Sequence, residues 1–433
     1  MSQSRAHYQY FLDLFRTENS KDHERALRFI EQNWNPSFEI YALESLYFLN
    51  QPKSKLKLLL LLQKSSGQNI AYDYNAWFEY LWNKPENYNT DYYQFKAILH
   101  RSIDFRFADY FLGRSDQSEI RLDEVRWGGV KQDGIPPLRN PQMISASEAD
   151  YLDDNNVVFG ISINGDARAY PKRILAWHEM FTDTVGGVPV AGVYCTLCGT
   201  VILYKTQYEG TQYNFGTSGF LYRSNKLMYD QKTQSLWNTL WGRPVIGPMV
   251  GQDIQLEYLN VVTTTWKQWK QMHPDTQVLS THTGHRRDYG EGVAYKDYFA
   301  TDELMFNIPQ NDRRLRNKQE ILAFRDPLNT EEVIAIPSKF LKRNRIYSLD
   351  YNGENLTIFT DKSGAHRVYR TQGVSFKEYN KTDGAIDSSG NYWTLYEDQI
   401  YNEFTGESLA VMPAHNAFWI GFKAAFPNTK LIK

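Results

Sequence analysis

Cys195 and Cys198, in Val193-Tyr-Cys-Thr-Leu-Cys-Gly-Thr200, are the only cysteines of the chain and are separated by two residues. A pair at that spacing can grip a soft metal as two thiolates, or cycle between dithiol and disulfide. Gly199 follows at once, where positive φ is easily reached and nearby amides can turn toward the sulfurs. Alternating and branched residues before the pair (Val188 to Tyr194) and after it (Val201 to Tyr204) predict two strands, with the cysteines capping their hairpin.

The turn resembles the Cys-x-x-Cys-Gly knuckle of rubredoxins and zinc ribbons. Those proteins close a four-sulfur site with a second Cys-x-x-Cys, which this chain lacks. Any metal must therefore recruit other ligands. His178 is the first candidate. It lies in a predicted short helix opened by Pro171, with Ile174, Leu175, His178 and Phe181 on one face that should pack on the sheet carrying the hairpin. A lone histidine on an apolar face is more often a core residue than a ligand. His282 and His285, in Ser280-Thr-His-Thr-Gly-His285, are close enough to ligate together, yet are equally ordinary in a Gly-containing loop. Arg223 and Asp230 flank a predicted strand close in sequence to the hairpin, and Arg168 stands just before Ala169-Tyr-Pro171; all three are candidates to orient a substrate, and their bland reading is a surface arginine or a turn aspartate.

The elements that must hold these residues fall into an α+β arrangement. Residues 1–115 carry apolar residues at helical spacing, as in Tyr10 to Phe15 and Ala26 to Ile30, cut by turn signals at Asn35-Pro36, Gln51-Pro52 and Lys84-Pro85. This predicts a helical accessory domain, free of catalytic pattern and suited to docking another protein. From Ile120 onward short β-rich runs take over, in two degenerate repeats over 120–290 and 291–433. Ala169-Tyr-Pro171 and Trp266 to Leu279 in the first answer to Ala335-Ile-Pro337 and Trp419 to Ile432 in the second. Where the first repeat has its cysteines, the second has Asp361-Lys-Ser-Gly-Ala-His366. A ligand cleft is expected at or near the junction of the halves.

Lys+Arg 48 against Asp+Glu 50 and the absence of a basic run argue against nucleic acid as a partner. The start has no apolar core of a secretory signal, and Leu58 to Leu62 is too short to span a bilayer, so no membrane partner and a cytoplasmic location are expected. Neither a Gly-x-Ser-x-Gly elbow nor a phosphate-binding Gly-x-x-x-x-Gly-Lys loop occurs.

Taken together, Asp133-Gly-Ile-Pro136, Val158-Phe-Gly-Ile161, Arg168-Ala-Tyr-Pro171, Trp177-His-Glu179, Asp183-Thr-Val-Gly-Gly187, Tyr194-Cys-Thr-Leu-Cys-Gly-Thr200, Met228-Tyr-Asp230, Ser235-Leu-Trp237 and Arg287-Asp-Tyr289 resemble the domain of unknown function 3179 family, from about Ile120 onward. The resemblance implies no settled activity. It places His178, Cys195 and Cys198 in the family motif and leaves His282 and His285 outside it. The leading expectation is a metal site of Cys195, Cys198 and His178 binding copper, zinc or iron, with an open position for a small substrate or dioxygen, and so a metal-dependent enzyme with redox chemistry favoured. The alternatives are metal-free thiol-disulfide chemistry and a non-enzymatic protein with a structural zinc.

Overall fold

The helical spacing of residues 1–115 becomes, among the described residues, seven α-helices, from His7–Asp13 to Phe107–Phe111. Local chemistry marks their ends: Ser20 and Asp73 accept main-chain N–H groups three residues on, Pro52 opens the helix Pro52–Ser66, and Gly67 closes it at φ 69°. The computed structural model describes residues 5–17, 20–326 and 332–433. Met1 to Ser4, part of the start just read for a signal, lie outside these.

The helices do not close a core of their own. Leu43, Phe95, Phe107 and Phe111 share one apolar core with Phe220, Tyr222, Leu227 and Tyr229, which belong to a five-stranded antiparallel sheet. That sheet runs in the order Val125–Trp127, Phe215–Tyr222, Asn225–Asp230, Leu236–Asn238 and Arg243–Ile246. The Phe107 and Phe111 rings stand 4.8 Å and 5.1 Å from the ring of Phe220. The core thus runs across the expected boundary near Ile120.

The chain is α+β, with the remainder rich in strands. Val188–Cys195 and Thr200–Lys205 form the expected hairpin, flanked by Met180–Val185 and Tyr258–Leu259. Beside it Val157–Ile163 pairs antiparallel with Val262–Thr265 and Asp166–Pro171, and the last of these pairs parallel with Gln277–Leu279. In the C-terminal part, Glu320–Arg325 pairs antiparallel with His415–Phe418 and Val333–Pro337, and the last pairs parallel with Lys430–Leu431. A short helix follows each proline, Lys172–His178 after Pro171 and Ser338–Arg343 after Pro337.

Both parts meet at the hairpin. Val193, Ile202 and Tyr204 share a core with Ile321, Ala335, Trp419 and Phe422. No helix among the described residues is long and apolar enough to cross a membrane.

Candidate functional site

The two cysteines close a turn whose backbone the sequence dictates. Cys195 pairs with Thr200 at the end of the ladder, and the N–H groups of Cys198 and Gly199 return to the carbonyls of Cys195 (3.2 Å) and Thr196 (3.3 Å). Gly199 has φ 57°, and a Cβ there would stand 2.8 Å from the ring of Phe418. Both the left-handed conformation and the close ring demand glycine. Gly199→Ala is expected to cost about 2–4 kcal/mol, from the backbone conformation and from overpacking; a urea-unfolding midpoint unchanged from the parent protein would refute this.

In the closed turn the Cys195 and Cys198 sulfurs are joined as a disulfide. The C-terminal part clamps it: the Phe418 N–H donates to the Cys198 carbonyl at 2.7 Å, and the Tyr298 hydroxyl donates to the Leu197 carbonyl at 2.7 Å. Cys198 is 1% exposed, its Sγ 3.5 Å from the Ser224 carbonyl oxygen. Cys195, 6% exposed, lines a cavity of about 60 Å³ together with Glu179, Lys226, Tyr295 and Phe306. The hydroxyls of Tyr194 and Thr196, on either side of Cys195, are buried with no hydrogen-bond partner among the described residues.

The cavity holds a charge pair that sequence reasoning passed over. Lys226 Nζ lies 3.1 Å from Glu179 Oε2 and donates to the Glu179 main-chain carbonyl at 3.1 Å, while the Tyr295 hydroxyl donates to Glu179 Oε1 at 3.0 Å. Burial pushes the Lys226 ammonium below the usual lysine range, with Glu179 pulling the other way; burial and Glu179 both push the Tyr295 phenol up. Glu179 follows the helix Lys172–His178 at φ 55°, a left-handed conformation that non-glycine residues rarely hold away from a constrained site.

Among the described residues no group of three or more His, Cys, Asp or Glu side chains gathers as a metal site. His178 is buried, as its spacing predicts, but against other partners than the sulfurs. Its Nδ1 is 2.8 Å from the Pro136 carbonyl and its Nε2 is 2.6 Å from the Tyr289 hydroxyl. A carbonyl only accepts, so Nδ1 carries the proton. Burial pushes the imidazole down to about 4, so the ring is neutral and Nε2 accepts from Tyr289, whose oxygen in turn accepts from Thr283 at 2.6 Å. Neither nitrogen is free to ligate. His282 and His285 sit in an exposed loop, the His285 ring 5.2 Å from that of His178.

The other candidates are each held by hydrogen bonds to neighbouring groups. Arg168 Nη2 and Nη1 lie 2.8 Å from Asp166 and 2.8 Å from Asp183, and Asp183 also accepts from Tyr170 at 2.6 Å. Arg223 and Ser224 form a two-residue hairpin turn at φ 49° and 63°. The Arg223 guanidinium donates to Glu124 and to the Ala424 carbonyl (3.3 Å). Asp230 accepts the N–H groups of Lys232 (3.1 Å) and Thr233 (2.7 Å), the Thr233 hydroxyl (2.6 Å) and the Trp237 indole N–H (3.1 Å). None of the three lines the cavity beside Cys195.

The family described as "Protein of unknown function (DUF3179)" matches residues 132–429. No curated protein and no solved structure matches the chain.

Proposed function

The chain belongs to that family of unknown function, and we propose that it acts as a thiol-disulfide redox protein whose working pair is Cys195 and Cys198. The observation that carries this reading is the joined pair of sulfurs with one of them on a cavity beside a buried ammonium. A lysine at such a cavity favours a thiolate, the form that attacks and leaves in exchange.

The exchange partner is a dithiol. Its thiolate attacks Cys195, the sulfur on the cavity; the Cys195–Cys198 bond breaks, Cys198 leaves as thiolate and takes a proton. The second thiol of the partner then attacks its own sulfur in the mixed disulfide and releases Cys195 as thiolate beside Lys226. The partner has passed two electrons to the pair; of its two thiol protons one ends on Cys198 and the other goes to solvent while Cys195 remains a thiolate, and the reverse sequence reduces a partner disulfide. Cys198, once protonated, has the Ser224 carbonyl within reach as acceptor. The small cavity admits a thiol-bearing tip and no bulky group.

The hydrogen bonds on both nitrogens of His178 weigh against the copper, zinc or iron site with His178 as third ligand. The shared strand order of the two β parts supports reading residues 291–433 as a degenerate second copy that kept the scaffold and lost the cysteines. In a reducing cytoplasm the pair would rest as the dithiol and serve as an electron donor.

The test is a free-thiol count on the full chain in dithiol and disulfide buffers of graded potential. Two thiols are expected to appear together with one midpoint, and a Cys198→Ser protein is expected to trap a mixed disulfide on Cys195. Two thiols that persist under every oxidant would overturn the proposal. So would about one copper, zinc or iron per chain in protein purified without an affinity tag, lost in a Cys195→Ser/Cys198→Ser protein.

A further inference from the structure

Glu179 reaches Lys226 twice: its main-chain carbonyl oxygen and its Oε2 each lie 3.1 Å from the Lys226 Nζ. The same carbonyl accepts the N–H of Tyr194, the residue before Cys195, at 2.9 Å. One oxygen thus ties the ammonium to the strand that carries the reacting sulfur, and Glu179, Lys226 and Cys195 line one cavity. We propose, on the premise of thiol-disulfide exchange at Cys195, that Glu179 is a positioning residue: it holds Lys226 at the sulfurs, competes with the Cys195 thiolate for the ammonium, and so sets the potential of the pair.

The surroundings leave the ammonium to these two anions. Lys226 is 5% exposed and Glu179 7%, so salt screens their attraction little. Tyr295 donates to Glu179 Oε1 at 3.0 Å, which leaves Oε2 to the lysine. Asp133 also acts on Lys226, but its oxygens are engaged by the Thr217 N–H at 2.9 Å and the Tyr229 hydroxyl at 2.8 Å, with Arg139 3.6 Å away. The phenols of Tyr194 and Tyr295 stay neutral, since burial and the Glu179 charge push both up.

While the sulfurs are joined, Glu179 is the one ion-pair partner of Lys226 among the described residues. When Cys195 leaves as thiolate, a second anion enters the same cavity and two anions share one cation. A nearby cation favours the thiolate and a nearby carboxylate disfavours it. A dithiol form stabilised in this way makes the disulfide the stronger oxidant, as a stable reduced form does in general. Lys226 therefore raises the potential of the pair, and Glu179 holds it down.

The full chain is equilibrated with dithiothreitol and its disulfide at graded ratios, and its thiols are counted. Glu179→Gln keeps the main-chain carbonyl and is expected to favour the dithiol form about tenfold, a midpoint roughly 30 mV higher for a two-electron couple. Lys226→Met is expected to disfavour it by a similar factor. In a Cys198→Ser background the Cys195 thiolate, followed by its ultraviolet absorbance, is expected to titrate about one pH unit lower with Glu179→Gln and about one higher with Lys226→Met. Loosened packing would move both variants the same way, whereas competition for one ammonium moves them apart. A Glu179→Gln/Lys226→Met protein strands no charge, and it is expected to return from the Glu179→Gln midpoint toward that of the parent even where Lys226→Met alone fails to fold. Coincident midpoints of the parent and Glu179→Gln proteins, or shifts of one sign in the two single variants, would overturn the role of Glu179 and leave the exchange at Cys195 standing. A parent protein whose two thiols never appear together at one midpoint would overturn both.

Discussion

Acidification from pH 7 to pH 5 is expected to remove about 6 kcal/mol of folding stability, because three buried histidines cannot take up protons in the folded state. His100, His366 and His415 are 2%, 7% and 3% exposed. Burial pushes their imidazoles down to about 4, 3 and 3; Lys342 and Arg367 add to the effect at His366, and Arg325 at His415. In the unfolded chain each titrates near the ordinary histidine value of about 6.5. Between that value and the depressed one, the unfolded chain binds protons that the folded chain does not, so stability falls as pH falls through this window. By pH 5 each ring contributes a loss of about 2 kcal/mol, against a typical total of about 5–15 kcal/mol. His178 shifts in the same direction and adds to the slope. Urea midpoints measured at pH 7, 6 and 5 would check this, and midpoints that stay level across the series would sink it.

Removing the guanidinium of Arg367 is expected to be the most damaging single substitution, with Arg367→Met losing about 3–5 kcal/mol. Arg367 is 1% exposed and bridges two buried carboxylates. Its Nε is 3.1 Å from each oxygen of Glu397, its Nη2 is 2.8 Å from Glu397 Oε1, and its Nη1 is 3.0 Å from Asp361 Oδ2. The other oxygen of Asp361 accepts the N–H groups of Ser363, Gly364 and Ala365, so it shapes the loop between Glu354–Thr360 and His366–Arg370. Burial pushes the Glu397 carboxyl up, but Arg367 more than offsets this and holds it down at about 2. Without the cation two carboxylates would be stranded in the interior. A triple variant that also carries Asp361→Asn and Glu397→Gln is expected to recover much of the loss, since a neutral interior avoids the stranded charges. An Arg367→Met midpoint indistinguishable from that of the parent protein would refute the assignment.

The sequence speaks clearly where the signal is local. Helical spacing, the break at Gln51-Pro52, and the glycine after Cys198 all act within a few residues, and each leaves its mark where its pattern stands. Asp230 is local as well: its partners lie within seven residues, and its turn role was legible beside the catalytic one. The cavity at Cys195 was not legible, because Glu179 and Lys226 are 47 residues apart and meet only through packing. Lys226 sits in Asn225–Asp230, a strand buried on both faces, where a lysine in sequence reads as a solvated position. His178 shows the same limit in reverse. Its spacing predicts burial correctly, but its partners Pro136 and Tyr289 stand 42 and 111 residues away, and nothing in the helix names them.

The core that the N-terminal helices share with the sheet of Phe215–Tyr222 also bears on biosynthesis. Phe107 and Phe111 leave the ribosome more than a hundred residues before Phe220, the ring they both pack on. Until that strand and its neighbours up to Ile246 are made, the helices carry an uncovered aromatic face of the kind that chaperones engage and that aggregates when crowded. The N-terminal helices therefore wait, in the nascent chain, for a surface encoded well downstream of them.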